Sequence, residues 1–157
     1  MTEQELRDLL LVAFEYTYAH DDWSYPLTEA LESIAADQAA WRPAPDAAGT
    51  ESMGIWDIVL HLAVWNNNIV ERIESGETAH PTEGAWPAKP EVLDERAWED
   101  AQDKLWASIE SVKNLIEKVP FEKIESSPYG FPDLLCRFTH LAYHIGQIVK
   151  IRECQEW

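Results

Sequence analysis

The sequence predicts an all-α chain folded as a four-helix bundle. Four segments repeat apolar residues at intervals of three and four, the spacing that lines one face of a helix. No segment alternates apolar and polar residues as a half-buried strand would. The 157 residues suffice for a single domain over 1–157 with its own core and are too few for two comfortable ones. Four amphipathic helices in one compact chain bury their stripes against one another.

The first helix is predicted from about Glu3 to Ala19, where Leu6, Leu9, Leu10, Ala13, Phe14 and Thr17 recur. The run His20-Asp21-Asp22-Trp23-Ser24-Tyr25-Pro26 interrupts it. A short helical piece from Leu27 to Ala35 follows Pro26, a residue suited to the first helical position. A loop opens at Trp41-Arg42-Pro43-Ala44-Pro45-Asp46 and reaches Ser52. The second main helix runs from Gly54 to Ser75 on a stripe of Ile55, Ile58, Leu62, Trp65 and Ile69, and Gly76 ends it. Glu77 to Pro90 then holds three prolines and one glycine. It is longer than the usual bundle connection of about 2–8 residues, which makes it a candidate lid.

The third helix spans Asp94 to Val119, with Asp94 as its N-cap. Trp98, Ala101, Leu105, Ser108, Val112, Leu115 and Val119 form a heptad-type seam, and Pro120 stops the helix. A second long connection, Phe121 to Phe131, is read as irregular. The fourth helix starts near Pro132 and runs to about Glu153.

Composition excludes several function classes. Hydrophobic residues make up 46% and charged residues 26%, as in ordinary globular chains. Twelve basic residues against 29 acidic ones give a net charge of −17. A field of that sign repels phosphate backbones and anionic lipids, so neither nucleic acid nor membrane is an expected partner. No apolar run reaches the length of a membrane span. The acidic start, Met1-Thr2-Glu3-Gln4-Glu5, lacks the basic and apolar regions of a secretory signal, so the expected location is the cytoplasm. Cys136 and Cys154 lie 18 residues apart on one predicted helix, roughly 27 Å along its axis. They are read as two reduced thiols.

Three histidines carry the chemistry. His140 and His144 stand four residues apart on the fourth helix, at the edge of the stripe Leu134, Phe138, Leu141, Ile145 and Ile148. His61 borders the stripe of the second helix. Convergence of the two helices would give one divalent metal ion three imidazole ligands, with positions left for water or substrate. Spacing alone leaves a second reading open, in which the pair is polar rim and His61 a hydrogen-bonded, half-buried residue. HExxH is absent, and no glutamate stands three residues before a candidate ligand, since Ile58 holds that place before His61 and Arg137 before His140, which argues against a metalloprotease helix and a carboxylate-bridged dinuclear site.

Several neighbours have candidate roles. Asp57 and Asn68 lie near the His61 face, and Gln147 lies three residues after His144; each could fix an imidazole tautomer or be an ordinary solvated residue. Trp65 reads as pocket wall or core. His20 and His80 are conceivable fourth ligands or proton shuttles, against the simpler reading of surface histidines. Eight tryptophans, with Trp56 turned from the His61 face, raise the expectation of an interface and a homodimer.

Three stretches resemble the DinB-like superfamily of bacterial four-helix proteins. They are Trp23-Ser24-Tyr25-Pro26-Leu27-Thr28-Glu29-Ala30-Leu31 with Gln38-Ala39-Ala40-Trp41-Arg42-Pro43-Ala44-Pro45, then Ile55-Trp56-Asp57-Ile58-Val59-Leu60-His61-Leu62-Ala63-Val64-Trp65, then His140-Leu141-Ala142-Tyr143-His144-Ile145-Gly146-Gln147-Ile148. The resemblance implies a DinB-like bundle with long connections between helices two and three and between three and four. It also implies one divalent metal ion, zinc or nickel, on His61, His140 and His144. Ser24 departs from the pattern, in which a histidine often follows the tryptophan.

Two function classes follow. One is an enzyme in which the ion activates a low-molecular-weight thiol or a water for attack on a small-molecule electrophile, as a thiol transferase or hydrolase. The other is a non-catalytic metal-binding or interaction protein whose ion joins helices.

Overall fold

The computed structural model describes residues 1–157 except 22, 23, 46, 50 and 79, so Asp22, Trp23 and Asp46, named above, lie outside the described residues. The described residues form seven helices and no strand: α1 (Glu3–Tyr18), α2 (Leu27–Ala30), α3 (Ala36–Ala40), α4 (Ile55–Ser75), α5 (Glu95–Lys118), α6 (Phe121–Ser126) and α7 (Gly130–Gln155). Capping residues set the main boundaries. The Thr2 hydroxyl accepts the Glu5 amide at 3.2 Å and the Glu5 carboxylate accepts the Thr2 amide at 2.6 Å, a reciprocal cap for α1. The Asp94 side chain accepts the Ala97 amide at 2.9 Å and starts α5. Gly76, at φ 75°, closes α4 in the left-handed region that glycine adopts without penalty.

Two predicted segments differ. The single piece predicted from Leu27 to Ala35 is helical only as α2, and a separate helix, α3, starts after it at Ala36. Ser33 turns to a positive φ of 59°, and the Ala35 and Ala36 amides go to the side chains of Gln38 and Glu95, both at 2.9 Å. Those donors start a new helix rather than continue the old one. The stretch read as irregular contains α6, whose Phe121 and Ile124 are buried, and α7 begins two residues before Pro132. Proline is tolerated there because first-turn amides have no intrahelical acceptor.

The four long helices pack in the ring α1, α5, α4, α7, with α1 diagonal to α4. Phe14 meets Phe138 at 5.1 Å between ring centres, and Trp56 meets Trp98 at 5.2 Å. Arg7 donates to the carbonyls of Ile116 and Val119 and so caps the end of α5. Arg152 donates to the carbonyls of Glu29 and Ala30 and ties α2 to α7. Trp56 corrects the sequence reading. It is fully buried because α5 covers the side of α4 opposite α7, so it contributes nothing to an interface. Among the described tryptophans only Trp86 is exposed. No described helix is long and apolar enough to cross a membrane.

The start of α4 is held by one buried carboxylate. Asp57 accepts Arg42 at 2.6 and 2.8 Å through two nitrogens, the Gly54 amide at 2.9 Å and Lys89 at 3.4 Å. Burial alone would raise its pKa, but the Arg42 and Gly54 bonds and the nearby Lys89 charge hold it below the ordinary carboxylate value. Gly54 is required for space: a Cβ there would lie 2.1 Å from the Trp41 carbonyl oxygen. Asp57→Ala leaves Lys89 without its carboxylate and Arg42 with only the exposed Glu51, and costs about 2 kcal/mol, less than a fully buried pair because Arg42 keeps access to water. Urea unfolding followed by circular dichroism measures this, and an unchanged midpoint would contradict it.

Candidate metal centre

α4 supplies His61 and α7 supplies His140 and His144, and the contact between these helices brings the three imidazoles together. The Nε2 atom of His140 lies 3.0 Å from that of His61 and 3.1 Å from that of His144. One ligand atom from each ring falls within 4.8 Å of the others. His61 and His144 are buried, at 6% and 4% exposure, and His140 is half-buried.

The outer nitrogens decide which lone pairs face inward. His61 Nδ1 donates to the Ala85 carbonyl at 2.6 Å, and His144 Nδ1 donates to Gln147 Oε1 at 2.6 Å. Both partners only accept, so both rings carry their proton on Nδ1 and present a bare Nε2 to the centre. His140 differs. Arg137 Nη1 donates to its Nδ1 at 3.3 Å, which leaves the His140 proton on Nε2, shared with the facing rings. Offering that Nε2 to an ion requires the proton to move to Nδ1 and the Arg137 contact to give way.

Burial sets the charge state. It lowers the pKa of His61 to about 4, against the raising effect of the Ala85 bond and with the neighbouring His144 and Arg137 adding to the fall. Burial, then Arg137, His144 and His61, lowers His140 to about 3. Burial also lowers His144, opposed by the Gln147 bond. The rings are neutral at pH 7, the form that ligates metals.

The long connection after α4 lies over this cluster. Trp86 stacks on His61 with ring centres 3.9 Å apart and planes 20° apart, and its ring centre is 5.9 Å from that of His144. Lys89 anchors the same segment to Asp57. The candidate lid is thus seated on His61 by a carbonyl and a ring, and on Asp57 by an ion pair. Trp65 lines the other side, 6.2 Å from His61 and under the Arg137 guanidinium at 5.3 Å.

Two predicted supports are corrected. Asp57 is committed to Arg42, Lys89 and Gly54, and the His61 Nδ1 proton goes to Ala85, so neither Asp57 nor Asn68 fixes that ring. Gln147 does hold His144. His20 and His80 are exposed, His20 beside Tyr16 at 5.2 Å, and neither joins the cluster among the described residues. Sequence reasoning missed Ala85, Trp86 and Arg137. Arg137 could have been found three residues before His140, and Trp86 as a bulky ring in a proline-rich loop. A backbone carbonyl such as that of Ala85 leaves no signal in sequence.

The pKa shifts predict acid sensitivity in the metal-free protein. Unfolded histidines take up protons near pH 6.5, whereas folded His61 and His140 refuse them until about 4 and about 3. The unfolded state binds more protons in between, so the stability present above about pH 6.5 is lost as the pH falls through that window. Tm falls across the same range. His140→Gln, which removes one titrating ring, flattens the slope relative to the parent. Parallel slopes for the two proteins would refute the assignment.

The family model described as the DinB superfamily matches residues 25–148. Comparison with curated proteins and with solved structures gives no match. The matched span runs from just before α2 into α7 and includes all three histidines. A match over that much of the chain, on an all-helical fold, shows that this chain belongs to the DinB superfamily.

Proposed function

We propose that His61, His140 and His144 hold one divalent metal ion, zinc or nickel, and that the loaded site transfers a small thiol to, or hydrolyses, a small electrophilic molecule. The observation that supports this reading best is the convergence of three Nε2 atoms, two pairs at 3.0 and 3.1 Å, with two of the rings oriented from behind by Ala85 and Gln147. Nitrogens bound to zinc at about 2.0–2.1 Å in a tetrahedron stand about 3.3 Å apart, so the cluster needs little movement to fit.

The donor set also bears on the type of site. Three neutral imidazoles suit zinc or nickel. A closed structural zinc site uses four protein ligands, and no fourth histidine, cysteine or carboxylate joins this cluster among the described residues. When bound, the ion supplies Lewis acidity, which makes a thiol or water more acidic and so a better nucleophile near neutral pH. The chain does the rest. Gln147 and the Ala85 carbonyl keep their imidazoles in one tautomer, and Trp86 shields the His61 ring face from bulk water.

Metal analysis of the native protein beside His140→Ala and His144→Ala tests ligation. About one ion per chain is expected in the parent and under a tenth of that in either variant; equal content in all three overturns the site. Turnover tests the chemistry. Consumption of a thiol with an electrophile should stop on chelation and return when zinc or nickel is restored. A sharp fall in Tm for His140→Ala, with no thiol or ester substrate consumed, would instead assign the ion a role in joining α4 to α7.

A further inference from the structure

Beside His144 lies a cleft of about 450 Å³ with a one-sided chemistry. Pro43, Met53, Ile58, Trp86 and Ile151 form its apolar wall. Although the chain carries 29 acidic residues, no carboxylate lines the cleft among the described residues. Its one cationic side chain, Lys150, already pairs with Glu153 at 3.2 Å. The cleft therefore offers a cation no carboxylate, and it offers an anion only Lys150, at the solvent-exposed rim and shared with Glu153. The wall favours a neutral molecule, gaining on the order of 25 cal/mol for each Å² of apolar surface covered.

The polar groups at the His144 end are ordered in one direction. His144 Nδ1 donates to Gln147 Oε1 at 2.6 Å, which fixes the amide. Gln147 Nε2 must then face the other way, and it donates to the Tyr143 hydroxyl oxygen at 3.1 Å. That oxygen is used as an acceptor, so the phenolic proton is left to donate elsewhere. Tyr143 lines the cleft and is solvent-exposed. The Ser52 hydroxyl, also on the wall, is already committed to the Ala44 carbonyl at 3.1 Å. The cleft thus offers a hydrogen-bond donor close to the histidines.

We propose that this cleft is the subsite for a neutral, largely apolar molecule bearing a carbonyl-type oxygen, received by the Tyr143 hydroxyl while its body lies against Trp86, Met53 and Ile151. Calling this molecule the electrophile rests on the reading given under Proposed function. The chemistry agrees with that role: a carbonyl oxygen accepts the Tyr143 proton, and such a hydrogen bond draws electron density from the attached carbon. Tyr143 is then the residue that selects acceptor-bearing substrates over hydrocarbons of the same shape.

The test uses prodan, a neutral naphthyl ketone whose emission responds to hydrogen bonding at its carbonyl, titrated into the metal-free full chain. Saturable binding of one molecule per chain is expected. Ile151→Trp fills the cleft and weakens binding at least tenfold. Tyr143→Phe keeps the ring, weakens binding about fivefold and shifts the emission to the blue. 2-(Dimethylamino)naphthalene, which lacks the ketone, binds parent and Tyr143→Phe equally. Circular dichroism confirms that both variants remain helical. No saturable binding, binding untouched by Ile151→Trp, or equal affinity and emission for Tyr143→Phe would overturn the proposal; so would tighter binding of a sulfonated or trimethylammonium analogue. The readout needs no ion, so a negative metal analysis leaves this result standing, and a negative titration leaves the metal reading standing.

Discussion

The structure around the histidines depends on the Asp57 carboxylate at the start of α4. It is buried, and it binds one cation from the loop before the helix and one from the loop after it. Arg42 brings in the segment that carries Pro43, Ser52 and Met53, and Lys89 brings in the segment that carries Ala85 and Trp86. The loop-borne part of the cleft lining and the cover on His61 are therefore referenced to a single side chain one helical turn from His61. The buried carboxylate is kept ionised by the donors it organises, so loop position and charge state support each other.

A second constraint is electrostatic. With a net charge of −17 the molecule attracts cations, yet the three-histidine cluster itself contains no carboxylate. Under the proposed metal reading, attraction to the molecule and capture at the site would be separate: the field would raise the local concentration of a divalent ion, and neutral imidazoles would select for one that prefers nitrogen. Arg137 opposes capture. Its guanidinium, which burial holds below its ordinary pKa, sits against His140 and keeps that ring in the tautomer with its proton on Nε2. An ion binding there would therefore have to displace both a proton and a hydrogen bond at one ligand, while the other two rings are already arranged.

Much of this was legible in the sequence because it rests on periodicity and capping. The apolar stripes of α4, α5 and α7, the Asp94 cap and the Gly76 stop all follow from local rules. His140 and His144 share a face by spacing alone, and Gln147 falls within reach of His144 for the same reason. What was not legible depends on long-range packing. A helical wheel places Asp57 beside His61 but cannot show that Arg42, fifteen residues earlier, claims it. Nor can it show that α5 covers Trp56, a ring whose position on the wheel reads as outward. The break at Ser33 was hidden because the donors that start α3 go to Gln38 and to Glu95, the latter on a distant helix.

His144 is where the metal reading and the cleft meet, and the connection is directional. An ion on its Nε2 would lock the proton on Nδ1, which keeps Gln147 Oε1 turned toward the ring and Gln147 Nε2 toward Tyr143. A molecule accepting the Tyr143 proton favours the same orientation from the other end. Each ligand then stabilises the state the other prefers, and linkage requires the coupling to be equal in both directions. Its size is bounded by the stability of the wrong amide orientation. The Gln147 contacts at 2.6 and 3.1 Å already oppose a flip in the metal-free protein, so only modest coupling remains for the ion to supply. The relay therefore acts mainly to prearrange the site, and under the proposed reading selection of the bound molecule would fall chiefly to the apolar wall and the phenolic donor.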